Sequence, residues 1–188
     1  LLAGVAGWRV VAPDFIGHGE SPKLDSEDYN YENFVQCLVQ FIDQFSYDRL
    51  VIVGHSMGGN LTVYVAGTDR RVKAAAPSVG GQGFRTMRWK LLPEQRRQVP
   101  NGAIELFRAT IGFQAYASRI RAPLLWLGAT NDFHGIMDDT YRTGALIPHA
   151  DVRYSFAPHL NHRFTPAFAV TRPLWLDQHL KGAFSFPP

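Results

Sequence analysis

The chain has 188 residues, 46% of them hydrophobic and 19% charged, a balance that suits one globular domain with a sizeable core. The net charge is +3 and the pI about 9.2. The nearest approach to a basic cluster is Arg85, Arg88, Lys90, Arg96 and Arg97; it forms no stripe or reader motif, which excludes nucleic acid as the expected partner.

Gly7 to Pro13 is a short, β-branched apolar run closed by proline, and it predicts a buried strand. Asp14 to Pro22 is a glycine-punctuated loop. Phe34, Val35, Leu38, Phe41, Ile42 and Phe45 then repeat at three-to-four spacing, the mark of an amphipathic helix with Asn30 as its N-cap. Cys37 lies in this stretch and reads as a small core residue. As the only cysteine it excludes an internal disulfide.

Leu50 to Val53 is wholly apolar and predicts a strand buried on both faces. It runs into Gly54-His55-Ser56-Met57-Gly58, and a helix follows to about Gly67. Further strands are predicted at 72–76, 123–127 and 151–156, with helices at 138–147 and 166–180; Pro173 is expected to kink the last helix. Strands alternate with helices, so the expected fold is α/β, a mostly parallel sheet with helices on both faces. Residues 81–122 interrupt the rhythm and are too long for a plain connection, so a lid or cap insert is expected there, within a single domain over 1–188.

No apolar run reaches the roughly 18 residues of a membrane span. No secretory signal is visible, and a soluble, cytoplasmic protein is the expectation.

The chemistry centres on Ser56. A serine hydroxyl is a weak nucleophile and must be presented to both a base and a substrate. A sharp strand-to-helix turn does this, and its neighbours are expected to be small, hence Gly54 and Gly58. The following helix directs its first N–H groups at the site, so the Met57 N–H is the expected oxyanion donor. His55, beside the serine, is expected to shape the site rather than act as base. Two histidines late in the chain, His159 and His162, are candidate bases, and His162 is favoured because it lies just before the final helix. A carboxylate must hold that imidazole in the correct tautomer. Asp132 follows the strand ending at Leu127 and is preferred to Asp138 and Asp139, which read better as acids at a helix N-terminus. His18, His134, His149 and His179 are not spaced like metal ligands. The chemistry calls for no metal and no organic cofactor.

The chain order Ser56, Asp132, His162 and the loop Asp14-Phe15-Ile16-Gly17-His18-Gly19-Glu20-Ser21 resemble the α/β-hydrolase superfamily. The loop is similar to that family's Asp-x-x-Gly-x-Gly-x-Ser element and implies shape rather than chemistry for Asp14 and His18. The front, through Val53, resembles haloalkane dehalogenases and epoxide hydrolases. Those enzymes use an aspartate where this chain has Ser56, so neither activity is expected. The back half resembles acetyl xylan esterases and prolyl-oligopeptidase-type hydrolases at Leu127-Gly128-Ala129-Thr130-Asn131-Asp132-Phe133-His134-Gly135 and Pro158-His159-Leu160-Asn161-His162.

The resemblance implies further strands before Gly7 and a second oxyanion donor from an early loop. Neither is in the sequence, so the chain is expected to be N-terminally incomplete, as a fragment or by loss of that part, and weak or inactive alone. The expected function is a serine hydrolase acting on a small carboxylic ester, with Phe84, Trp89 and Phe107 as candidates to line the acyl pocket. A peptidase or another acyl hydrolase on the same residues, and a truncated or non-catalytic hydrolase-fold protein, are the alternatives.

Overall fold

The structure is a computed structural model, and it describes residues 9–25, 29–84, 101–110 and 112–182. The basic cluster 85–97, Trp89 and the Phe107 side chain lie outside the described residues. The chain divides into two compact units, Leu1–Ser46 and Tyr47–Pro188.

In the first unit, Arg9 to Pro13 carries no strand among the described residues, and Val10 and Val11 are exposed. The apolar pattern was there, but a strand also needs a ladder partner for its N–H and C=O groups. The loop that follows is braced from within. Asp14 Oδ2 accepts from the Glu20 N–H, and Ser21 Oγ donates to the Asp14 carbonyl at 2.6 Å. Gly19 has φ +48°, and a Cβ there would meet the Asp14 carboxylate at 1.9 Å. Helix α1 spans Tyr31–Asp43 and opens with Asn30 Oδ1 accepting the Asn33 N–H at 2.9 Å, the cap expected of it. Phe34 and Ile42 are buried on its apolar side, whereas Cys37 is only partly buried, since it lies off that stripe.

The second unit is a four-stranded parallel sheet in the order β1 (Leu50–His55), β2 (Val72–Ser78), β3 (Leu124–Ala129), β4 (Val152–Ala157). It is flanked by α2 (Met57–Thr68), α3 (Asn101–Thr110), α4 (Gln114–Ala117), α5 (Met137–Gly144) and α6 (Pro166–Leu176). All six residues of β3 are buried, as a central parallel strand requires. α2 is buried from Gly59 to Gly67 and packs on β1 and β2. α6 sets Phe168 and Trp175 against Ala76, Val79, Leu125 and Leu127, the core of the unit. Each of those two aromatic side chains contributes on the order of 2–3 kcal/mol by burial. Asp138 and Asp139 occupy the first turn of α5, where acids favour the helix dipole. Pro173 lies inside α6, and the helix passes into a π turn at Asp177–Lys181. Proline there supplies no N–H to the carbonyl four residues earlier.

His179, in that π turn, places its ring 4.1 Å from Trp175. Burial lowers its pKa from the ordinary 6.5, and Asp151 opposes this weakly. The unfolded chain therefore takes up a proton that the fold resists. This contribution to stability is complete above 6.5 and is lost as pH falls below it toward the lowered value. Below about pH 6.5, His179→Phe should flatten the decline of Tm. An unchanged Tm profile would show that His179 does not contribute.

Candidate active site

Because the four strands are parallel, their C-terminal ends share one edge of the sheet, where the loops after them converge. Ser56 follows β1, Asp132 follows β3 and His162 follows β4.

Ser56 sits in the turn between β1 and α2 with φ +56° and ψ −115°. A non-glycine residue there stores about 1–3 kcal/mol of strain and persists only when its surroundings hold it. They do so from several sides. The Ser56 N–H donates to the Ser78 carbonyl at 2.9 Å, and the Ser56 carbonyl accepts from the Asn60 N–H at 3.1 Å. Gly80 lies so close that a Cβ on it would be 2.3 Å from the Ser56 carbonyl oxygen. A Cβ on Gly54 would be 2.1 Å from the Gly58 carbonyl oxygen. Gly58 differs from expectation, because a Cβ there would meet nothing within 4 Å. The turn needs the Gly58 backbone close to Gly54; it does not need Gly58 to lack a side chain.

The loops bearing Asp132 and His162 are pinned to each other. Thr130 N–H donates to the Ala157 carbonyl, Asn131 N–H to the Leu160 carbonyl, and His159 N–H to Thr130 Oγ1 at 3.0 Å. Of the two candidate histidines, His159 is exposed in a left-handed conformation (φ +57°), while His162 reaches the serine. Ser56 Oγ lies 2.6 Å from His162 Nε2. His162 Nδ1 lies 3.0 Å and 3.1 Å from the two oxygens of Asp132.

The Asp132 side chain is fully buried. Its Oδ1 also accepts the N–H groups of His134 at 2.7 Å and Gly135 at 2.9 Å. Asp139 turns away from this group to Arg142, at 3.4 Å. An ionised carboxylate only accepts, so Nδ1 carries the imidazole proton and Nε2 faces the hydroxyl as acceptor. An arrangement of this kind can take the hydroxyl proton as the oxygen attacks.

His55 is exposed, with Nδ1 3.3 Å from Ser78 Oγ. Partial desolvation lowers its pKa most, followed by the charges of His162 and Arg172. It therefore stays neutral where an ordinary histidine begins to charge. Arg172 of α6 is partly buried and donates through Nη2 to Ser78 Oγ at 3.2 Å. Met57 is the first residue of α2, where an N–H has no acceptor within the helix.

Three neighbours are given no role at the site by the sequence. The Phe133 ring is 5.2 Å and the His134 ring 5.1 Å from that of His162. Gln82 is fully buried and donates through Nε2 to the His134 carbonyl. Phe133 and His134 follow Asp132 directly, a signal that adjacency carried. Gln82 had none. Phe84, expected in an acyl pocket, lies under the Arg142 guanidinium at 4.2 Å.

Among the described residues, no group of three or more His, Cys, Asp or Glu side chains could hold a metal ion. Among them, too, no helix is long and apolar enough to cross a membrane.

A comparison with solved structures places the chain beside E-2-(acetamidomethylene)succinate hydrolase, with a TM-score of 0.63 and 15% identity over 89% of this chain and 80% of that one. That likeness concerns the fold alone. Among curated proteins, 68 residues are 35% identical to the "Putative esterase/lipase 2" of Mycoplasma pneumoniae, covering 36% of this chain and 25% of that protein. Over 152 residues the chain is 28% identical to the haloalkane dehalogenase of Psychrobacter cryohalolentis, covering 74% of this chain and 46% of that one. The chain thus spans less than half the length of these two relatives. Residues 1–112 match the family model described as alpha/beta hydrolase fold, and the chain belongs to the alpha/beta hydrolase fold family.

Proposed function

We propose that this chain carries the catalytic residues of a serine hydrolase that cleaves carboxylic esters through an acyl-enzyme. The observation that carries the reading is the continuous contact from Ser56 Oγ to His162 Nε2 and from His162 Nδ1 to a buried carboxylate. In the first half-reaction Ser56 Oγ forms a bond to the acyl carbon while His162 Nε2 takes its proton. The Met57 N–H stabilises the oxyanion. The imidazolium then returns the proton to the departing alkoxide as the ester C–O bond breaks. Water repeats the sequence and frees the acid and Ser56. Asp132 holds the imidazole and stabilises its charged form throughout.

Phe133, exposed and against His162, offers an apolar surface to the ester. Residues 81–122 form the cap in this proposal. Their root leaves β2 at the same sheet edge as Ser56. It is tied down by Gly81 N–H to Asn60 Oδ1, Gly83 N–H to Thr143 Oγ1 and Phe84 N–H to Gln114 Oε1.

The test is a fluorophosphonate probe on the wild type and on Ser56→Ala, with the modified peptide mapped by mass spectrometry, followed by a panel of short and long acyl esters beside aminoacyl-prolyl amides. Labelling confined to Ser56, lost in the variant, and turnover of esters in preference to amides is expected. A folded wild type that takes no label would overturn the reading.

A further inference from the structure

We propose that Gln82, at the root of the 81–122 segment, is a positioning residue for Asp132 and so for His162. This rests on the roles given above to those two residues.

Gln82 is a fully buried amide whose Oε1 has no hydrogen-bond partner among the described residues. An amide buried with an acceptor unmet is costly, and packing alone would favour an apolar side chain of the same size. Its bond to a backbone carbonyl explains its presence. Nε2 donates to the carbonyl of His134. That carbonyl and the N–H of Gly135 belong to one peptide group, and the Gly135 N–H donates to Asp132 Oδ1 at 2.9 Å. Pulling on the carbonyl polarises the peptide and strengthens its N–H as a donor. It also fixes the plane of that peptide, and with it the direction of the bond to Asp132.

The relay is therefore Gln82 Nε2–H to His134 C=O, across the peptide to Gly135 N–H, and on to Asp132 and His162 Nδ1. Gln82 is itself held on both sides. Gly81, with φ +84°, donates to Asn60 Oδ1 at 2.7 Å, and Gly83 N–H donates to Thr143 Oγ1 at 2.7 Å. The first residues of the proposed cap thus set the geometry of the acid that orients the base.

Gln82→Met and Gln82→Leu remove the donor while keeping an unbranched or similar volume. Both are expected to leave Tm little changed, since losing the unmet acceptor offsets the donor that the His134 carbonyl loses. With an ester substrate, kcat should fall about tenfold with KM little changed, the scale of losing an outer hydrogen bond to an active-site ligand. The pKa of His162, followed by NMR on ring-labelled histidine, should rise, because Asp132 gives more of its charge to the imidazolium once the Gly135 donor weakens. Unchanged kcat and an unchanged His162 titration would overturn the proposal. So would unfolding of both variants, which would make Gln82 a packing residue. The titration needs no turnover. A wild type that neither labels nor turns over would sink the serine hydrolase reading, and the His162 titration would still decide the role of Gln82.

Discussion

Asp132→Asn is expected to lower the rate of acylation at Ser56 by about 10⁴-fold while leaving the fold intact. The geometry gives the reason. Oδ1 of Asp132 accepts from the backbone of His134 and Gly135. In the variant the amide oxygen keeps those two donors, and the amide NH₂ is left facing His162 Nδ1. Two donors cannot face each other, so Nδ1 becomes the acceptor and the proton moves to Nε2. Nε2–H then points at Ser56 Oγ, which lies 2.6 Å away, and cannot take its proton. The side chain is fully buried, so solvent does not repair the tautomer. The measurement is the second-order rate of fluorophosphonate labelling, or kcat/KM on an ester found active, with Tm recorded alongside. A loss below about tenfold would remove Asp132 from the mechanism; about 1.4 kcal/mol of barrier is all such a loss represents. Combined with Ser56→Ala, the variant should show no further loss, since residues acting as a unit are not additive.

The second large effect is on the turn itself. Gly54→Ala places a Cβ 2.1 Å from the Gly58 carbonyl oxygen, 2.3 Å from its carbon and 2.7 Å from Thr62 Oγ1. The obstacles are mostly backbone, so either β1 or the start of α2 must move. Overpacking of this kind costs about 1–3 kcal/mol and occasionally more, and here the displaced segment carries Ser56. Gly54→Ala should lower Tm by several degrees, on the order of 4 °C or more, and abolish labelling of the serine. Gly58→Ala should do neither. Its Cβ enters open space, and replacing a helical glycine by alanine gains up to about 1 kcal/mol. If the two variants lose Tm and labelling equally, the close approach of Gly54 to Gly58 is not what holds the turn.

The turn at Ser56 was readable because its causes are local. Four apolar residues make β1, and the glycine spacing makes the turn that follows. The Asn30 cap is local for the same reason. Asp132 and His162, expected from their positions after predicted strands and from the family resemblance, meet because parallel topology brings those positions to one end of the sheet.

Other features depended on tertiary contacts. His159 and His162 are three residues apart on one loop, and only the path of that loop puts one beside Ser56 and the other in solvent. Gly54 and Gly58 look alike in the motif, yet only one of them has backbone where its Cβ would be. Arg9 to Pro13 has a strand's composition, but composition supplies no ladder partner.

Gln82 is the furthest case. Its partner, His134, lies 52 residues along the chain, and nothing in a glycine-rich stretch marks a buried amide. The sequence by itself determined the four sheet strands, the helices before and after the Ser56 turn and the residue types at the strand ends, because periodicity and turn chemistry act over a few residues. The tertiary structure decided which of those groups touch, because hydrogen bonds form between atoms within about 3 Å, wherever they lie along the chain.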